Sequence, residues 1–307
     1  MRNAFADEIL HQARANPMVT LVTADIGNRL FDPFKAEFPE RFFNCGVAEA
    51  NMTGVAAGMA SQGLKAFTYT ITPFATTRCL EQIRVDLCYH DLPVTVCGVG
   101  SGYAYGPLGA THHACEDISF LRSLPNMAVC CPGDPLEMRS LLAAAVHWPG
   151  PLYLRLGKKG EPSVHPSQPN VTIGKVLLVK PGTDCCLLST GTILPMVLEA
   201  ASRLQEQGVN CEVISFHTVK PLDTDYLTEA FQRFPLVVTV EEHSLIGGLG
   251  SAVAEWMVDR GPSSTHLLRV GTPDRFIKDC GETEYIHHQI GLTAEAVTQR
   301  VLSARKK

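Results

Sequence analysis

Two successive doubly wound α/β domains are what this chain of 307 residues predicts. Three observations carry the expectation. Short apolar runs rich in Val, Ile, Leu and Phe alternate with stretches of helical spacing, the pattern of a parallel sheet covered by helices. A segment rich in Pro, Gly and Ser interrupts that alternation once, near the middle. The length is about twice the ~150 residues of an ordinary domain, so each half can hold its own core.

The opening MRNAFADEILHQARANP reads as an amphipathic helix that stops before Pro17, where the ring disfavours helical backbone in the preceding residue. Strand-like runs follow at 19–24, 65–71, 94–99, 127–131 and 152–156, with helices expected near 47–61, 75–90 and 134–147. GKKGEPSVHPSQPN, residues 157–170, has no apolar periodicity and reads as a linker. The expected division is a first domain over 1–160, a linker over 161–172 and a second domain over 173–307. In the second half, strands at 185–190, 210–216, 235–240 and 266–270 alternate with helices near 193–207 and 249–260.

Composition narrows the function classes. Hydrophobic residues at 45% and charged residues at 19% belong to a globular chain, and a net charge of -5 provides no electrostatic footprint for nucleic acid. No apolar run approaches the ~20 residues of a membrane helix, and the mixed charges of the first segment do not resemble a signal peptide. The 11 cysteines show no CxxC spacing. Cys130-Cys131 and Cys185-Cys186 fall inside strand-like runs, where neighbours point to opposite faces, so buried free thiols in a reducing, cytoplasmic setting are expected.

Chemistry concentrates in two segments. FFNCGVAEANMTGVAAGMA, residues 42–60, sets one carboxylate, Glu49, in the first turns of a helix built from small residues. Such a helix lets another backbone approach closely, and a carboxylate pressed into that contact needs a partner. On its own, Glu49 reads better as a complement to the helix macrodipole and the unpaired amides. GPLGATHHACEDISFLRSLPN, residues 106–126, places His112 and His113 beside Thr111 after a Gly-rich stretch.

In this order, the two segments resemble the glutamate motif and the substrate-histidine loop of thiamine-diphosphate enzymes of the transketolase group. The resemblance extends over nearly the whole chain. It implies a thiamine-diphosphate pyrimidine-binding fold followed by a transketolase C-terminal-domain-like fold. It gives Glu49 the carboxyl that hydrogen-bonds the cofactor pyrimidine N1′ and favours the imino tautomer that serves as base; a low-dielectric pocket strengthens that hydrogen bond. It gives Phe74, in YTITPFATTR, the flat wall for the pyrimidine ring, with Ile71 standing one turn earlier where a second aromatic is usual. His112 resembles the residue that hydrogen-bonds the substrate's oxygen atoms, and His113 stands at a position usually held by Gln.

The chain also departs from the pattern. Transketolases read GEDGPTH where this chain reads GPLGATH, so Leu108 replaces an acid that contacts a substrate hydroxyl. The reaction class survives this change, and the sugar is expected to differ from the usual straight-chain phosphates. Lys158, beyond Arg155 in PLYLRLGKKGEP, falls where the group carries a phosphate-binding Arg; lysine binds phosphate as a point charge, and a solvated basic turn is the other reading. Gly247, Gly248 and Gly250 open a helix but are not GxGxxG, so they read as a tight turn with close packing.

The GDG motif that holds the diphosphate and its divalent metal occurs nowhere in the 307 residues. The resemblance therefore implies the C-terminal subunit of a split transketolase. A separate N-terminal subunit would hold Mg2+ or another divalent ion and the diphosphate, in an α2β2-like assembly. The β subunit of a 2-oxo-acid dehydrogenase E1 component shares this architecture and is the alternative enzyme; a scaffold of the same fold without catalysis is the alternative outside enzymes. FLRSLPN and GATHH favour transketolase, and Glu49 together with His112 argues against the scaffold.

Overall fold

The computed structural model describes residues 1–27 and 29–306. Twelve strands are described: β1 Val19–Thr23, β2 Phe42–Asn44, β3 Lys65–Ile71, β4 Thr95–Val99, β5 Ala128–Cys130, β6 Leu152–Leu156, β7 Leu177–Lys180, β8 Cys185–Thr190, β9 Cys211–Ser215, β10 Thr218–Lys220, β11 Leu236–Ser244 and β12 His266–Thr272. They form a seven-stranded sheet in the order β10-β5-β6-β4-β3-β1-β2 and a five-stranded sheet in the order β12-β11-β8-β9-β7. Pairing is parallel except at β10 with β5 and β7 with β9, both at sheet edges. The predicted α/β architecture of parallel sheets and covering helices is what the chain adopts.

Burial explains the strand sequences. β1, β4, β6 and β8 are buried at every position, as expected of strands with both faces covered. Helix Arg2–Ala15 packs beside helix Pro135–Val146 on one face, where Phe5 stacks on Tyr69 with ring centroids 5.1 Å apart. Helix Glu49–Ser61 covers the other face through Met52, Ala56, Ala57 and Ala60. Cys130 and Cys131 enter different core clusters, as do Cys185 and Cys186, in line with the alternation expected of neighbours in a strand. All 11 cysteines are free, and only Cys45 and Cys280 are not buried.

Three features depart from the sequence reading. The helix expected over 75–90 begins at Thr72 and is broken into helix Thr72–Ala75, a 3-10 turn Thr77–Cys79, a single α turn Leu80–Gln82 and a π-helical stretch Ile83–Tyr89. The Thr76 hydroxyl donates back to the Thr72 carbonyl at 2.7 Å, a bond that competes with regular helix. Ile71 belongs to no helix: it is the last residue of β3, and packs into the core face that holds Phe67, Tyr69 and Val99. Third, β10 comes from the second half of the chain yet forms the edge of the first sheet.

The junction between halves is bonded throughout. Residues 157–170 contain no helix or strand, yet the Val164 and His165 amides donate to Asp134 Oδ2 at 2.7 and 2.9 Å. Asp134 Oδ1 caps helix Pro135–Val146 at the Glu137 amide. One core cluster runs across both halves, joining Ile118, Leu121 and Tyr153 to Ile214, Phe216 and Leu249. No helix among the described residues is long and apolar enough to cross a membrane.

Candidate active site

The site lies over the first sheet, beyond the C-terminal ends of β3, β4 and β6, where parallel α/β sheets leave a crevice for ligands. Gly46 turns the chain at φ 69, and Glu49 is the first residue of its helix. Its carboxylate is 3% exposed and accepts from Arg78 Nη1 at 2.8 Å, which supplies the partner that a buried carboxylate requires. The broken helix brings this about: the interruption after Ala75 turns Arg78 back, so that its guanidinium lies 4.0 Å from the Phe74 ring centroid. Phe74 is half-buried, with the Arg78 guanidinium lying over its ring.

The loop after β4 closes over these groups. The Phe74 and His112 rings meet edge to face at 5.2 Å, and His112 is 5.9 Å from Tyr105. Lys158 Nζ stands 4.7 Å from the Tyr105 ring centroid. A continuous row thus runs Glu49, Arg78, Phe74, His112, Tyr105, Lys158. His112 Nδ1 shares a hydrogen bond with the Thr111 hydroxyl at 2.9 Å, which restrains the ring. Desolvation first, then the neighbouring His113 and Arg78, push the His112 pKa below the ordinary imidazole value, so the ring is neutral at pH 7.

Other sequence candidates fall into place around the row. Leu108 ends a short 3-10 turn, 53% exposed, and offers no polar atom beyond its backbone. Lys158 is partly buried and borders a cleft of about 660 Å³ that also touches Thr192, Pro195 and His287. The His113 ring packs edge to face on Tyr103, at 5.0 Å between ring centroids. Ile71 ends β3, partly buried against the core that holds Tyr69. The reading missed Arg78 and Tyr105; an Arg four residues after Phe74 and an aromatic inside the Gly-rich loop were the available signals.

Two buried acid clusters are structural. Burial works against the charge of Arg155, but Asp117 at 2.7 Å outweighs it and holds the guanidinium pKa above its usual value. Arg155 also donates to the Ala114 and Glu242 carbonyls, tying the loop to β11. Asp134, Glu137 and His165 gather within 4.8 Å, a spacing a metal ion could bridge. Their lone pairs are already engaged: Asp134 takes three backbone amides, and Glu137 takes the Ser215 hydroxyl and His165 Nε2. At Gly247–Gly250 the amides of Leu249 and Gly250 donate to the Glu241 carboxylate at 2.7 and 2.8 Å, and a Cβ on Gly248 would overlap that carboxylate. The glycines therefore serve close packing.

Residues 1–161 match the family model for the transketolase pyrimidine-binding domain and residues 174–297 that for the transketolase C-terminal domain. The chain belongs to the transketolase family. It is 34% identical to a putative transketolase C-terminal section of Methanocaldococcus jannaschii, over 100% of this chain and 96% of that protein. One of the subunits of an apulose-4-phosphate transketolase of Phocaeicola vulgatus is 34% identical over 100% of this chain and 97% of its own length. Among solved structures, a split-gene transketolase described as an inactive beta4 tetramer superposes with a TM-score of 0.89 at 35% identity, covering 99% of this chain and 97% of that one. These full-length matches identify it as the C-terminal subunit type of a split, thiamine-diphosphate-dependent transketolase.

Proposed function

We propose that this chain transfers a two-carbon ketol unit from a ketose phosphate to an aldose or related carbonyl acceptor, acting with a separate GDG-containing subunit that holds the diphosphate and a divalent metal. The observation that carries the reading is the row from Glu49 to Lys158. It sets a buried carboxylate, an aromatic wall, a neutral imidazole and a cation in line beneath one loop.

The donor set fits the pyrimidine end of thiamine diphosphate. A heteroaromatic base with a ring nitrogen needs a carboxyl to share a proton and a flat face to lie against, and Glu49 and Phe74 supply these side by side. The cofactor, when bound, supplies the carbon nucleophile that carries the two-carbon unit. Glu49 holds a proton at the ring nitrogen, and Phe74 excludes water from that contact. His112 Nε2 orients a substrate oxygen and accepts or returns its proton, which a neutral imidazole does at pH 7. Lys158 holds an anionic terminus.

Leu108 and the match to a subunit of an apulose-4-phosphate transketolase support a ketose other than xylulose 5-phosphate as donor. An assembly with two copies of each subunit in the cytoplasm completes the reading. The test is reconstitution: the purified chain should catalyse nothing alone and gain ketol transfer when mixed with a GDG-containing subunit, followed with a panel of ketose donors and aldehyde acceptors. Robust transfer by the isolated chain would exclude a split enzyme.

A further inference from the structure

The loop carrying His112 is held from outside its own domain. Gly102 and Ala114 pair through two backbone hydrogen bonds of 2.9 Å, closing residues 102–114 into a compact loop on the first sheet. Its next contact is with β11 of the second half. The Tyr103 amide donates to Glu242 Oε1 at 3.2 Å, and the Ser244 amide donates to the Cys115 carbonyl at 2.8 Å. Glu242 is itself oriented: His287 Nε2, from helix Thr283–Ile290, bonds the same Oε1 at 2.5 Å. The Thr283 hydroxyl of that helix donates to the Tyr103 carbonyl at 3.1 Å.

Shape as well as bonding is adapted to this contact. Gly102 sits at φ 59, and a Cβ there would overlap the Glu242 carboxyl group. At Gly106 a Cβ would meet the Gly281 carbonyl and Ile286. Two positions of the loop are therefore free of side chains where the second half presses on it. Glu242 is 4% exposed, so its carboxylate has been withdrawn from water for this bond, and a buried acceptor of this kind costs stability unless it is used.

We infer that Glu242, oriented by His287, is a positioning residue for the substrate loop: by holding the Tyr103 amide it sets where His112 stands over Phe74. This rests on the functional reading above for what His112 meets, and on the geometry alone for what holds the loop. Glu242 borders the cleft that Lys158 also lines, but its carboxylate is hydrogen-bonded to Tyr103 and His287 and not to the row from Glu49 to Lys158. Its influence passes through Tyr103 and the closed loop to His112, where a displacement of about 1 Å is enough to cost up to ~10²-fold in rate.

Two variants separate positioning from bulk stability. Glu242→Ala removes the acceptor, whereas Glu242→Gln retains an oxygen at Oε1. In the chain by itself, hydrogen–deuterium exchange across 101–114 should accelerate about tenfold in the alanine variant, the effect of one lost buried hydrogen bond. It should stay near wild type in the glutamine variant, with the helix Glu49–Ser61 unchanged in both. In the assembled enzyme, Glu242→Ala should lower kcat/KM about ten- to a hundredfold with thiamine diphosphate affinity retained. Glu242→Gln should recover most of the loss. Wild-type exchange in the alanine variant, or a glutamine variant as impaired as alanine, overturns the inference. Should Glu242→Ala fail to fold, His287→Ala, which keeps the carboxylate but removes the group that orients it, takes its place in the exchange and rate measurements. The exchange measurement needs no activity, so an inactive wild-type mixture would sink the proposed reaction and leave the loop result standing.

Discussion

The carboxylate of Glu49 and the guanidinium of Arg78 form an ion pair of 2.8 Å with unequal exposure, 3% for the acid and 45% for the base. A buried acid is thus paired with a base that solvent can reach. The same carboxylate is the one offered to a pyrimidine nitrogen, so Arg78 and the cofactor make opposing demands on it. A double-mutant cycle on urea stability with Arg78→Ala and Glu49→Gln should return a coupling of about 1 kcal/mol, below the figure for a fully buried pair because Arg78 is screened by water. Additive effects would show that the pair is not formed in solution.

Glu49→Gln keeps the shape of the side chain and loses proton sharing. In the assembled complex, deuterium exchange at the cofactor C2 should slow by ~10²–10⁴-fold while the fold persists. A wild-type exchange rate would reduce Glu49 to a helix-terminus residue.

His112 is expected to act as a neutral base and hydrogen-bond partner. Its pKa is lowered, so the folded chain binds this proton less readily than the unfolded chain, and the charged form appears only below the ordinary imidazole range. The acid limb of kcat/KM should lie there and vanish in His112→Ala. That variant should weaken substrate handling by ~0.5–1.5 kcal/mol for one lost hydrogen bond, with cofactor affinity retained. Unchanged steady-state constants would contradict the role.

Leu108 should set donor choice. A hydroxyl placed against leucine without a partner costs ~1–3 kcal/mol, which is roughly five- to a hundredfold in transition-state binding. Wild-type enzyme should therefore favour an altered ketose phosphate over xylulose 5-phosphate, and Leu108→Asp should move kcat/KM toward the latter. A wild type that already prefers xylulose 5-phosphate, with no gain in the variant, would make Leu108 neutral.

Glu241 offers a stability test by pH. Burial pushes its pKa up to about 7, against the pull of the two amides it accepts. The folded state then holds a proton that the unfolded state releases near pH 4.5, so stability from this group is present at low pH and declines as pH rises toward 7. Glu241→Gln should flatten the difference in melting temperature between pH 5 and 7. An unaltered pH profile would show the carboxylate to be well solvated by its amides.

How much of the fold and site is legible in the sequence follows from length and burial. Strands 65–71, 152–156 and 185–190 are long apolar runs covered on both faces, and their limits coincide with β3, β6 and β8. β2 and β10 span three residues each and, unlike the equally short β5, do not sit inside a longer apolar run that would mark them. Glu49, Phe74, His112 and Lys158 could be singled out because motif spacing marks them. Arg78 could not, since its approach to Glu49 depends on a helix that breaks at Thr76, and Ile71 proves to end β3 because the helix starts only at Thr72. Glu242 was invisible for a different reason: its partner Tyr103 lies 139 residues away in the chain.

β10 gives the two halves a common fate. Cleavage within 161–172 followed by separation would strip the first sheet of its last strand and expose the β5 edge, an invitation to intermolecular pairing. It would also open the core shared by Tyr153 and Phe216. The halves should therefore melt in a single transition, and neither should be recoverable as a well-behaved fragment when expressed alone.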